Sequence, residues 1–452
     1  MDDSALMRWD KTSWDSFVAR LYRQREFVIK LGLAPILEAL ELEGQPQRSH
    51  ARILVAGSNG KGETSAFISA ILKAHGLTVG FFSSPHIIDF RERFRVNGGL
   101  VSREELMAVG NRVLERYGDR DTPGPQLTFF ESAALMGALV FRERGVDVGV
   151  YEVGLGGRLD ATNALEPDLS VVTSIALDHT DFLGGTLDAV AGEKAGIFRP
   201  DKPAIIGRQA HRAAYEALVR LAPERARFFG PDFRVDASGC IELGPADDAR
   251  VLRWRVDIAA TGLWNAACAT AAAAQFLGDS FAPDLALEGL NNCRWPGRRD
   301  RRRLMAPGES KAYEYLFDAA HNPDAAAMLF EHIARQDIKI AAVVCTSMRN
   351  KDVAGTFAHI PADVPIFGAL LDFERAACAE QLGAALRGKC VREFGPAPAM
   401  LAAARAQVDR ADARANQAGQ GGVILVFGSI YLLGECFSAL GVEPDSLRSD
   451  IG

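Results

Sequence analysis

The stretch ILVAGSNGKGETSAFISAIL, residues 53–72, passes from an apolar run through two close glycines and a lysine into a helical pattern. A strand, a glycine turn and a helix start in that order aim free N–H groups and the positive end of a helix dipole at one point, and phosphate is the anion such a point suits. The stretch is not a strict P-loop. Gly57 lies only three residues before Gly60, and Gly62 follows Lys61 where a hydroxyl residue is required. Taken alone, it reads equally as a phosphate cradle or as a plain turn with a solvated Lys61.

Other residues stand at the ends of apolar runs. Glu152 directly follows VDVGVY, so its carboxylate ends a buried strand, where an unpaired charge is costly and a cation partner is expected. Ser84 in SSPH reads as a turn residue before proline or as an oxygen ligand, and His179 in LDHT as a hydrogen-bonded loop histidine or as a ligand. The glycines of GLGGRLDATN do not make a dinucleotide fingerprint, because Leu159 occupies the last required position. Seven scattered cysteines with no C-x-x-C support neither a disulfide framework nor a zinc ribbon, and read as small buried hydrophobes.

The elements that must position these groups are short apolar runs alternating with helical patterns: RILVAGS, TVGFFSS, VDVGVYEVG, LSVVTSIALDH and PAIIGR. This alternation predicts a mostly parallel sheet covered by helices, with ligand chemistry at the strand C-terminal ends. Residues 230–258 read as a hairpin-rich insertion, followed by an Ala-rich helix. CRWPGRRDRRR then marks a junction, with Arg299, Arg301, Arg302 and Arg303 read as a solvated basic linker. Beyond it, YEYLFDAAHNP, KIAAVVCTS, VPIFGALL and GGVILVFGS restart the alternation in a second, smaller unit. The fold class is α/β: an N-terminal P-loop-type ATPase domain with a mostly parallel sheet, residues 1–296, and a smaller C-terminal Rossmann-like α/β domain, residues 297–452.

A chain of 452 residues, 48% hydrophobic and 24% charged, has ordinary globular composition. Its net charge of −7 gives no footprint for nucleic acid, and no apolar run reaches the length of a membrane span. The acidic N-terminus lacks a signal-peptide core, so the expected compartment is cytoplasmic. Without heptads, the expected state is a monomer.

Nine segments in order, GSNGKGET, SSPHIIDFRERFRVNG, LTFFE, YEVGLGGRLDATN, SIALDHTDFLGGTL, EKAGIFRP, RWPGR, DAAHNP and GSIYLLGE, closely resemble the folylpolyglutamate synthase and dihydrofolate synthase family of the Mur ligase superfamily. The resemblance spans about residues 30–435. It implies an ATP-binding central domain, a C-terminal glutamate-ligase domain and a reaction in the cleft between them. It also implies the chemistry: a pterin-linked carboxylate attacks ATP, and the acyl phosphate is captured by the amine of L-glutamate. The implied substrates are dihydropteroate or a reduced folate, L-glutamate and ATP, and the implied cofactor is Mg2+, in two ions.

By resemblance, Ser58, Asn59, Gly60, Lys61 and Gly62 hold the phosphates of ATP, with Asn265, Arg298 and Asp318 contacting the nucleotide from the junction. Ser84, Glu152 and His179 ligate magnesium, and Lys194 matches a lysine that the family carbamylates beside the second metal. Leu31, Gly32, Thr128, Phe129, Phe130, Glu131, Leu159, Asp160 and Ala161 lie beside the pterin. Either phenylalanine could stack on its ring, and at least one is expected to pack in the core. His321 and Ser429 are assigned to glutamate, and Lys61, Lys194 and His321 to catalysis. Asn322 is read as a helix cap as readily as a ligand.

Three positions depart from the family pattern. Glu63 replaces the usual serine or threonine and would repel a triphosphate unless it points away. Lys30 stands where an acid is common, and Ala319 where a glycine is. The competing readings are a related ligase for another carboxylate and a nucleotide- or folate-binding regulator without ligase activity.

Overall fold

The structure, a computed structural model, describes residues 10–24, 32–118, 124–236, 238–244, 252–255, 262–415 and 422–447. Leu31 and Lys30 lie outside the described residues.

Eight strands form the first sheet: β1 (Ala51–Ala56), β2 (Val79–Phe82), β3 (Phe94–Val96), β4 (Gly99–Leu100), β5 (Val148–Glu152), β6 (Leu169–Val172), β7 (Ala204–Ile206) and β8 (Ala226–Phe228). Their order is β4-β3-β2-β5-β1-β6-β7-β8, with only β3 and β4 antiparallel to their neighbours. The central strands are apolar without alternation because both faces are covered. Leu54 and Ala56 face one core with Phe82 and Leu139, while Ile53 and Val55 face another with Ile68 and Ala269. From β1 the chain turns towards β2 on one side, and from β6 towards β7 on the other. The strand ends of β1 and β6 thus flank the crevice where a doubly wound sheet binds ligands.

The hairpins expected over residues 230–258 are β9 (Phe233–Val235), β10 (Cys240–Leu243) and β11 (Leu252–Arg255), an antiparallel sheet of their own. The second large sheet contains β12 (Asp300–Leu304), β13 (Tyr313–Asp318), β14 (Ile340–Cys345), β15 (Ile366–Leu370), β16 (Val391–Pro396) and β17 (Val423–Phe427), ordered β12-β13-β17-β14-β15-β16. All its pairs are parallel except β12–β13. Every strand read from the sequence in this half is present.

The arginine run is not a linker, and it is solvated only in part. Residues 301–303 belong to the edge strand β12, where Arg301 and Arg303 are exposed, whereas Arg299, in the turn before it at φ +47°, is largely shielded, with its guanidinium paired to Glu63. Charge density alone does not reveal that a strand with one polar face, or an acid on another element, will absorb the cations. The cysteines also divide: Cys268, Cys345 and Cys436 are buried, whereas Cys378 is exposed.

The two large sheets meet closely. A Cβ on Gly434, in the helix Ile430–Ala439, would lie 2.4 Å from the carbonyl oxygen of Ile87 in the first half. Arg95 of β3, fully buried, donates to the carbonyl of Leu447, at the far end of the second half. Among the described residues, no helix is long and apolar enough to cross a membrane.

Candidate active site

Gly57 ends β1 at φ +148°, and a Cβ there would lie 1.9 Å from Thr173 Oγ1. Gly60, at φ +85°, is the N-cap of the helix Lys61–Ala74, with Asn265 Oδ1 2.6 Å from where its Cβ would stand. Both positions require glycine for conformation and for space. The turn they permit points the carbonyl of Gly57 at two ammonium groups: Lys61 Nζ donates to it at 3.0 Å and Lys194 Nζ at 2.8 Å. Burial pulls both lysines below their ordinary pKa, Lys194 to about 7, with Lys61 adding repulsion.

These groups line one cleft with Ser58, Gly60, Gly62, Ser84, Glu152, His179, Arg298 and His321. Its empty space, the part open to solvent included, is about 1110 Å³. Glu152, buried at the end of β5, accepts from the backbone N–H of Ser84 at 3.1 Å, and burial raises its carboxyl while Lys61 opposes the rise. His179 sits at φ +52° at the start of the short helix Thr180–Leu183; burial first lowers its ring to about 4, and Lys351 adds to the drop. The residues expected to share a metal thus line one cleft, Ser84 just beyond β2, Glu152 at the end of β5 and His179 in the loop after β6.

Asp178 crosses between the halves. Its carboxylate pairs with Lys351 and with His321 Nε2 at 3.3 Å, both from the second half. Burial pushes its carboxyl up, but the His321 hydrogen bond and the charges of His321, His179 and Lys351 outweigh this and hold it well below the usual range. Lys351 Nζ also reaches His179 Nε2 at 3.3 Å. Sequence reasoning missed Lys351, whose loop position between Asn350 and Asp352 carries no local signal, and gave Asp178 no role.

Other expected residues are committed to the scaffold. Ser58 Oγ donates to Ala176 O and accepts from Ala176 N, joining the loop after β1 to the loop after β6. Asn59 exchanges amide hydrogen bonds with Asn322 of the second half, and Asn322 also caps the helix Pro323–Arg335. Thr128 and Glu131 form a reciprocal cap on the helix Phe129–Glu143. Asp160 accepts from the N–H groups of Gly154, Leu155 and Thr162, which fixes the loop carrying Leu159 and Ala161. Ser429 caps the helix Ile430–Ala439. Gly32 precedes the helix Ala34–Leu42 at φ +146°.

Both phenylalanines pack on protein. Phe129 stacks on Tyr22 at 5.2 Å, beneath the buried Arg93 guanidinium, while Phe130 lies 5.9 Å from Phe82 and covers Gly154. Asn265 and Asp318 are not free either. Asn265 Nδ2 donates to Glu63 at 2.6 Å, and Asp318 accepts from the backbone of Arg299 and Ala320, with Arg298 Nη1 at 3.7 Å. Glu63 itself borders the same cleft but does not stand alone. It is buried against Arg299, which resolves the repulsion expected of it.

Removing Lys351 leaves the buried Asp178 short of its nearest cation, so Lys351→Met is expected to destabilise the fold by about 3 kcal/mol at neutral pH. Because the folded pKa of Asp178 is depressed, the stabilisation is present above its unfolded value and lost as pH falls, so the gap to wild type should narrow below pH of about 4. Urea unfolding across pH measures it; a gap independent of pH would contradict the assignment.

With the geometry established, comparisons place the chain among known proteins. The profile described as Mur ligase middle domain matches residues 55–230. A Haloferax volcanii protein described as a probable bifunctional folylpolyglutamate synthase/dihydropteroate synthase is 32% identical over 433 residues, covering 92% of this chain; the chain spans only 49% of that relative's length. The dihydrofolate synthase/folylpolyglutamate synthase of Escherichia coli is 33% identical over 373 residues, 82% of this chain and 84% of the relative. The solved structure of E. coli FolC in complex with DHPP and ADP aligns at a TM-score of 0.79 with 29% identity, covering 96% of this chain and 99% of that one. The chain belongs to the dihydrofolate synthase/folylpolyglutamate synthase family of the Mur ligase superfamily.

Proposed function

We propose that this protein is an ATP-dependent ligase that joins L-glutamate to a pterin-linked carboxylate, using dihydropteroate and reduced folates as acceptors. The observation that carries the reading is the cleft itself. Lys61, Glu152, His179 and Lys194 from the first half face Arg298 and His321 from the second, with Lys351 paired to Asp178 behind them. Lys61, Lys194 and Arg298 on this lining, beside a helix N-terminus, suit a polyphosphate and a carboxylate. We place the domain boundary between residues 296 and 297, supported by the start of β12 at Asp300.

In this reading, Lys61 and the start of its helix bind the phosphates of ATP, and Arg298 adds charge from across the junction. A carboxylate oxygen of the acceptor attacks the γ-phosphorus, and the bond to ADP breaks, leaving an acyl phosphate. The amine of glutamate then attacks the acyl carbon, forming the amide and releasing phosphate. His321 and Lys351 hold a carboxylate of glutamate, a role for which Asp178 is the resident anion. Ile87, Trp295 and Pro296 line the cleft and keep water from the acyl phosphate.

Magnesium fits the donor set. Glu152 is a buried carboxylate, Ser84 and His179 stand beside it in the cleft, and substrate oxygens and water would complete an octahedron. Among the described residues no three His, Cys, Asp or Glu side chains gather as a ready-made metal site. When bound, it supplies charge neutralisation at the phosphate oxygens. For a second ion, a carboxylate is created if neutral Lys194 Nζ bonds to carbon dioxide and loses a proton, which its pKa of about 7 allows. In 13C-bicarbonate, a carbamate carbonyl resonance is expected in wild type and not in Lys194→Ala; its absence from wild type would reject the carbamate.

The function is tested with labelled L-glutamate and Mg-ATP, run separately on dihydropteroate and on a reduced monoglutamyl folate. Incorporation is expected with both, and in Lys61→Ala it should fall by at least about 100-fold, with folding intact. Incorporation with neither substrate, in protein that binds ATP, would favour a binding protein without ligase activity.

A further inference from the structure

Glu63 occupies the third position of the helix Lys61–Ala74 but caps nothing. Its side chain, 9% exposed, instead reaches two other elements: one oxygen meets the Arg299 guanidinium, itself 13% exposed, and the other accepts from Asn265 Nδ2 at 2.6 Å. Arg299 in turn donates its backbone N–H to Asp318 Oδ2 at 2.9 Å, from a left-handed conformation at φ +47°. Asn265 Oδ1 is pressed against Gly60, the N-cap of the same helix. The phosphate loop, the helix Leu263–Leu277 and the first turn of the second half are thus tied at a single carboxylate.

We propose that Glu63 is a positioning residue for nucleotide binding, holding the phosphate side of the site in register with Asn265 and, through Arg299, with Asp318. The inference rests on the ATP-ligase reading above. A hydroxyl residue in its place, as the family pattern has, offers Arg299 no charge. Here the register depends on the ion pair. A buried pair contributes little net stability, since desolvation offsets attraction, but it specifies geometry, and breaking one side leaves an uncompensated charge. Both Glu63 oxygens are held, one by Arg299 and one by Asn265, so its removal should weaken nucleotide binding rather than strengthen it.

The test measures ADP binding by calorimetry, with steady-state kinetics and thermal melting, on wild type, Glu63→Gln, Glu63→Thr and the double variant Glu63→Leu/Arg299→Leu. Both single variants should raise the ADP Kd and the ATP KM about tenfold, with the KM for L-glutamate unchanged. The double variant should melt near wild type, because an apolar pair removes the stranded charge, yet keep the weakened ADP binding. It also carries the test should Glu63→Gln fail to fold. ADP binding as tight as wild type or tighter in either single variant would overturn the proposal, as would full ADP affinity in the double variant. Wild type that binds ADP but incorporates no glutamate would defeat the ligase reading alone, and wild type that binds no ADP would defeat both.

Discussion

Two ammonium groups share one carbonyl oxygen, that of Gly57, and the rest of the site follows from this constraint. Burying Lys61 beside Lys194 is unfavourable, and burial accordingly lowers both pKa values. The arrangement is stable because Glu152 and Asp178 lie near enough to attract both charges or one of them, and because a helix N-terminus nearby is itself an anion site. A polyanion entering the cleft meets charges already gathered and oriented. The electrostatic work of assembling them is done in folding rather than at the moment of reaction.

The same constraint explains why two sheets are needed. Cations from one sheet alone would leave the reacting groups facing water. Lys351 and His321 close over Asp178 from the second sheet, Asn322 meets Asn59 across the junction, and the helix Ile430–Ala439 presses on the loop at Ile87. These polar and close-approach contacts are joined by apolar packing of Ile87 and Ile88 on the core of the second half, a mixture that suits an interface that must both admit substrates and exclude water.

Much of this was legible in the chain. Apolar runs without alternation named the central strands because both faces of each sheet are covered, and glycines marked Gly57 and Gly60 because no side chain fits there. Resemblance carried Ser84, Glu152, His179 and Lys194 to one cleft, although they are far apart in sequence. What stayed hidden depends on long-range partners. Arg299 read as solvated because its acid, Glu63, lies more than two hundred residues away, and Lys351 carried no signal because its role is set by the other half of the protein. Thr128, Asp160 and Ser429 read as substrate contacts, and their bonds to nearby backbone N–H groups were not foreseen, because such local caps carry no separate signal in the sequence.

The central claim is that this cleft transfers phosphate to a carboxylate before the amide forms. Dihydropteroate labelled with 18O in its carboxylate, turned over with Mg-ATP and L-glutamate, tests it directly. The account predicts a labelled oxygen in the inorganic phosphate released, since the bond broken in the second step joins acyl carbon to that oxygen. Unlabelled phosphate alongside amide product would contradict it.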